Sequence, residues 1–248
     1  MGIFDLLSRD KREERARTRN ISRALNKYAQ SVDRSKALEA LADDGSEEAL
    51  LGLLRRFGMM YDKTIEDEQE KEWVFETLCS KGAAALPAVR RYLFSAESIS
   101  WPLRVLDRIA PSKDEEMALI EEVMARHEPG YERDPTKKMQ LLTHIGTIKH
   151  PRSAPLAVPY LKDMDEGVRY TAVESLVRQK NEAVAREPLL ELFTSDEEES
   201  LRIRLRIAEG FAELGWLVQG FRPGVEKKLP DAFTLDREGH IKRRQQAG

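Results

Sequence analysis

Four histidines, one cysteine and an acidic run beginning at Glu66 are the groups in this 248-residue chain whose chemistry suits metal ligation or nucleophilic attack. His127, His144, His150 and His240 are scattered, and only His127 is followed by Glu. Ligation needs several donors converging on one point. His144 lies among Leu141, Leu142 and Ile145, which reads as an ordinary partly buried histidine. Cys79 follows Leu78 at the end of an apolar helical pattern, without the neighbouring base or electropositive pocket that makes a thiolate. Being alone, it forms no intramolecular disulfide and no cysteine-pair metal motif. The run Glu66, Asp67, Glu68, Glu70 and Glu72 lacks the Asp spacing and Gly of a calcium loop, and reads as the solvated start of a helix, where the dipole favours negative charge. No Walker loop, dinucleotide fingerprint, nucleophile elbow or His-Glu-x-x-His helix is present. The sequence thus predicts no catalytic residue, no cofactor and no metal.

The elements that carry these residues are helical. Charged residues make up 34% of the chain and aromatic residues 7%, a balance that favours helices with much solvated surface over a β-sandwich. The formal net charge of -3 excludes a global field that would draw the molecule to nucleic acid or anionic lipid, leaving local patches to do so. The first eight residues hold four large apolar side chains, Ile3, Phe4, Leu6 and Leu7, too few for a signal-peptide core, and no later window approaches a membrane span. A cytoplasmic protein with no integral membrane association is expected.

From Asp10 to about Gly215 apolar residues recur three and four apart between short interruptions rich in Gly, Pro, Asp and Ser. The clearest unit begins at Pro155. Leu156, Val158 and Leu161 mark one helix, 163–167 a turn, and Val168, Ala172, Val173 and Leu176 a second helix. Pro87 opens a similar unit with Val89, Tyr92 and Leu93, and Pro188 opens a third with Leu189, Leu190 and Leu192, leading into Leu201, Ile203, Ile207, Phe211 and Leu214. More degenerate copies fit 46–81 and 113–148, so unit starts fall roughly thirty to forty residues apart, the interval of two-helix repeats. Pro188 suits a first helical turn, whereas Pro87 and Pro159 should bend their helices. Residues 9–36 read as one basic helix, and Phe233 to Lys242 as a small hairpin turning at 236–239.

The string from Pro159 to Leu176 resembles a HEAT repeat in its Leu, Asp, Val-Arg, Ala and Leu positions. The resemblance covers 46–215 and implies an all-α, right-handed superhelix, or solenoid, with second helices lining a concave face. It also implies that Asp163 and Arg169 join a ladder of side-chain contacts between repeats, with Asp196 and Arg204 as looser equivalents. Three segments follow: a basic helical cap over 1–45, the repeat array over 46–215, and a capping segment over 216–248 with a hairpin and a basic tail. The first eight residues either cover the first hairpin or dock into a partner groove or onto a membrane surface. HEAT-repeat di-iron hydroxylases use several His-Glu pairs, where this chain has one. HEAT-like alkylpurine DNA glycosylases invite comparison through Trp101 and Asp107, but Trp101 is followed by Pro102 and the apolar pattern Leu103, Leu106 and Ile109, which reads as packing.

On the inferred second helices, basic residues recur as Arg104 and Arg108, Lys137 and Lys138, Arg169 and Arg178, then Arg202 and Arg206, while acidic residues gather at 43–76 and 196–199. This row is the candidate binding site. It suits an acidic segment of a protein partner first and a phosphate backbone second. Its structural alternative is local pairing and helix solvation. The leading function is a non-catalytic interaction scaffold or adaptor; a nucleic-acid-binding module follows, and a glycosylase-like enzyme comes last.

Overall fold

The computed structural model describes residues 3–61 and 64–244, with 3–9 as backbone alone. Thirteen α-helices and one two-stranded sheet occur among the described residues. The first seven helices are α1 Ile3–Ala24, α2 Ser31–Asp44, α3 Glu47–Arg55, α4 Thr64–Ser80, α5 Leu86–Ser95, α6 Ser100–Ile109 and α7 Lys113–Met124. They are followed by α8 Thr136–Ile145, α9 Ser153–Ala157, α10 Glu166–Gln179, α11 Glu182–Thr194, α12 Leu201–Leu214 and α13 Arg222–Lys228, then β1 Phe233–Leu235 and β2 Ile241–Arg243. The chain is mostly helical with a small C-terminal antiparallel hairpin, as its composition and periodicity predict. It divides into two compact units, residues 1–119 and 120–248.

Helix boundaries follow from local chemistry. Ser46, Asp165 and Ser200 cap α3, α10 and α12 by accepting the N–H of Ala49, Val168 and Ile203. Gly45 and Gly215 close α2 and α12 in the left-handed region, where a side chain is disfavoured. Pairs of helices then stack. In the first unit α2, α4 and α6 pack as successive neighbours, while α3 packs between α1 and α5. In the second unit α8, α10 and α12 form one row, and α9 with the following 3-10 turn Val158–Lys162 packs beside α11, which packs on α13. Leu41, Leu53, Leu54 and Leu78 in the first unit, and Leu142, Leu176, Ile207 and Phe211 in the second, are fully buried between the rows. Each such side chain contributes roughly 1.5–3 kcal/mol. The rows close tightly at glycine: a Cβ on Gly210 of α12 would stand 2.6 Å from the Val177 Cγ2 of α10.

Three local expectations need correction. The basic stretch 9–36 is two helices, because the chain turns at 25–30, where the Asn26 side chain accepts the Tyr28 N–H. Pro188 lies inside α11, which begins at Glu182, whereas Pro87 occupies the first turn of α5. Pro159 sits in the 3-10 turn that continues α9, so the break falls there as expected. Ile3, Phe4, Leu6 and Leu7 belong to α1, but their side chains lie outside the described residues.

Charged side chains tie the second unit together from hairpin to hairpin. The Asp163 carboxylate accepts Lys138 Nζ at 2.9 Å from α8, along with the backbone N–H of Gly130 and of Asp165. Arg169, one turn into α10, donates to the Asp163 and Met164 carbonyls and forks onto Glu198 at 2.8 and 3.2 Å. Arg204 of α12 in turn donates to the carbonyls of Phe193, Ser195 and Glu198. Asp163 and Arg169 therefore take the positions the resemblance implies. In the next hairpin, however, Glu198 and not Asp196 is the ladder carboxylate. It stands two residues before the Ser200 cap, as Asp163 stands two before the Asp165 cap, and its Oε1 accepts the Ser200 N–H. Asp196 points outward to Lys228 at 2.6 Å.

Burial alone would raise the Glu198 pKa, yet the Arg169 fork and the Ser200 N–H outweigh it and hold the carboxyl below its ordinary value. A depressed carboxylate stabilises the fold above its unfolded pKa, and that contribution is lost as pH falls through the folded value. Chemical denaturation followed by circular dichroism should show stability declining below about pH 4. Glu198→Gln should be less stable at neutral pH and flatter along that acid limb; an unchanged acid limb would contradict the assignment.

Candidate functional site

The predicted basic row is distributed unevenly between surface and interior. In the first unit, α6 presents Arg104 and Arg108 to solvent. The Arg104 guanidinium lies 4.2 Å from the Trp101 ring centroid and 4.7 Å from that of Phe75. Trp101 itself stacks nearly parallel on Phe57 at 5.3 Å and meets Phe75 edge-on at 6.0 Å. The tryptophan is thus a packing residue, as its following Pro and apolar pattern suggest, and it gives Arg104 a platform. Burial raises the nearby Cys79 thiol pKa, with Arg108 and Arg104 opposing, and Glu76 and Glu72 adding to the rise. The thiol is held protonated, which suits a packing group rather than an activated nucleophile.

In the second unit the lysines of α8 turn inward. Lys138 is 1% exposed and held by Asp163, so it serves the ladder; Lys137 is also buried, and its pKa is lowered by loss of solvent. Arg169 is occupied by Glu198, and Arg206 of α12 pairs with Glu174 of α10. Arg202 stays exposed, its guanidinium 3.7 Å from the Tyr170 ring centroid and 3.9 Å from Glu166. Arg178 is exposed near the end of α10. Of the eight predicted residues, Arg104, Arg108, Arg178 and Arg202 remain open to a partner. Lys138, Arg169 and Arg206 are drawn in by the carboxylates of Asp163, Glu198 and Glu174, while Lys137 is buried.

Sequence reasoning missed a buried ionic cluster in the first unit. Arg56, fully buried, donates to Asp67 at 2.6 Å and Glu70 at 2.9 Å; Arg34 of α2 forks onto Glu70, and Lys71 reaches Asp67 at 2.6 Å. Both arginines lie over the Tyr61 ring, at 4.3 Å for Arg34 and 4.0 Å for Arg56. The acidic start of α4 is therefore only partly solvated: Asp67 and Glu70 belong to the interior. Lys71 following Asp67 by four residues was the one signal of this in the sequence. At the hairpin, donor atoms of Asp236, Glu238 and His240 lie within 4.8 Å of one another. Asp236 accepts three backbone N–H groups of the turn, from Glu238, Gly239 and His240, and an ion pair from Lys242, contacts that shape the turn itself.

Paired helices stacked in rows on a buried apolar core within each unit define a helical-repeat protein. Residues 131–208, which run from just before α8 into α12, match the HEAT repeats family, and this stretch consists of HEAT repeats. Such repeats commonly mediate protein interactions. No curated protein matches the chain. Among the described residues no helix is long and apolar enough to cross a membrane.

Proposed function

We propose that the protein is a non-catalytic adaptor that binds an acidic segment of another protein through the exposed arginines of α6, acting in the reducing cytoplasm that its single cysteine suits. The observation that carries this reading is the Arg104 platform. A guanidinium resting on two aromatic faces is already ordered before a carboxylate arrives, so less side-chain entropy is lost on binding. Arg108 stands one helical turn further along the same helix, at a spacing that two acidic side chains of an extended or helical peptide can match. Repeated helical hairpins supply this kind of broad surface as a direct product of their stacking.

Arg104→Glu/Arg108→Glu should weaken capture of a fluorescent acidic peptide at least about tenfold, a change of about 1.4 kcal/mol. The circular dichroism spectrum should not change. Full-strength binding by the folded double variant would overturn the reading. Retention of DNA or RNA with a steep salt dependence, abolished by the same substitutions, would transfer these arginines to a phosphate backbone instead.

A further inference from the structure

The first unit carries another surface of opposite character, in the groove between α2 and α4. Ser31, Ser35 and Leu38 line one wall, while Glu66, Gln69 and Trp73 line the other, enclosing about 290 Å³. Both triplets step along their helices by three or four residues, so the groove runs with the helices and not across them. The serines are short and Leu38 is only 1% exposed, which leaves the Trp73 ring as the apolar surface within reach of a ligand. Trp73 is 39% exposed, and Val32 and Ile65, next in sequence to the lining Ser31 and Glu66, are 60% and 75% exposed. A partly exposed tryptophan in a groove wall, with two further exposed apolar side chains on the same two helices, marks a surface suited to a partner.

Charge selects the kind of partner. Helices α2 and α4 carry ten carboxylates against three cations. Arg34 and Lys71 are buried, paired to Glu70 and Asp67 together with Arg56 of the preceding 3-10 turn. Lys36 is the one exposed cation on these two helices among the described residues. The solvent side of the groove is accordingly negative, with Glu39 and Glu66 in its lining and Glu68, Glu72 and Glu76 exposed on α4. Such a rim repels phosphates and anionic headgroups, which argues against nucleic acid and membrane. The chain's own basic helix α1 is already packed on α2 and α3.

We infer that the α2–α4 groove binds a basic amphipathic helix of a partner protein, seating one apolar side chain against the Trp73 ring while its Lys and Arg residues meet Glu39 and Glu66. A helix fits because the lining residues recur at helical spacing, as in other helix-in-groove contacts. This site uses neither Arg104 nor Arg108 and stands apart from the acidic-segment reading.

The probe is a fluorescein-labelled synthetic helix with Leu along one face and Lys elsewhere, titrated with the full chain and followed by anisotropy. Saturable binding is expected, weakened at least tenfold by Trp73→Ala and by Glu39→Lys/Glu66→Lys. The matched reversal Glu213→Lys/Glu238→Lys, on exposed carboxylates of the second unit, should leave it unchanged. A version of the peptide with Glu for Lys should not bind. Should Trp73→Ala disturb folding, the Glu39→Lys/Glu66→Lys reversal read against its second-unit control decides. No binding by the wild-type chain, equal binding of both peptides, or equal loss from the two charge reversals would overturn the inference. Binding of the basic peptide that survives Arg104→Glu/Arg108→Glu would support it whatever becomes of the acidic-segment proposal.

Discussion

Replacing Arg56 by methionine should destabilise the first unit by about 3–5 kcal/mol, because it leaves buried carboxylates short of their cation. Arg56 is fully enclosed and serves Asp67 and Glu70 at once, with further donation to the carbonyls of Met59 and Asp67. Burial opposes ionisation of Asp67, and the hydrogen bonds and charges of Lys71 and Arg56 bring its pKa below the ordinary aspartate value. With Arg56 gone, Lys71 remains for Asp67 and Arg34 for Glu70, but the Arg56 interior is filled by a group with no hydrogen to offer. The melting temperature should fall by roughly 10 °C. A Glu70→Gln change should be milder, since the amide oxygen still accepts and Arg56 keeps Asp67. A methionine variant that melts with the wild type would show that this cluster is not needed for stability.

The second large effect is expected in the ladder. Lys138→Met leaves the Asp163 carboxylate, buried at 2% exposure, with backbone donors from Gly130 and Asp165 and no cation, at a cost of about 3 kcal/mol. Asp163→Leu should be worse, because it leaves Lys138 with the Gly130 carbonyl and the more distant Glu132 and also removes the acceptor of those two N–H groups, each buried donor adding about 1–3 kcal/mol. The order Asp163→Leu below Lys138→Met below wild type, read from denaturant midpoints, is the checkable result. The reverse order would mean that the amides of this turn find other acceptors.

These two expectations show where sequence was informative and where it was not. The helices up to Gly215 were legible because apolar residues recur three and four apart, and the hairpin at Phe233–Leu235 and Ile241–Arg243 because short apolar runs flank a Gly-bearing turn; α13, with Val225 as its one buried residue, carries no such stripe and was not foreseen. The ladder could be placed at Asp163 and Arg169 through resemblance to a repeat family. It slipped by two residues in the following hairpin, since in Ser-Asp-Glu-Glu-Glu-Ser any of four acids is a plausible match, and only the position of the Ser200 cap decides for Glu198. The Arg56 cluster was largely beyond reach because its members come from three separate elements, and beyond Lys71 four residues after Asp67 nothing local marks its carboxylates as buried. The basic row was half legible for a related reason. Periodicity puts Lys137 and Lys138 on a helix but does not say that Asp163 and the Gly130 carbonyl wait on its inner side.

The C-terminal hairpin bears on a different property, colloidal behaviour. Strand β2 packs along α12, with Arg243 reaching Glu209, and Ile241 and Phe233 are buried beneath the strands. The flank of α12 that would otherwise take a further hairpin is thereby roofed by backbone whose outward side chains, such as Lys242, are charged. Addition of another molecule onto this flank, the kind of contact by which open stacks grow, meets polar, ion-paired side chains in place of a bare apolar face.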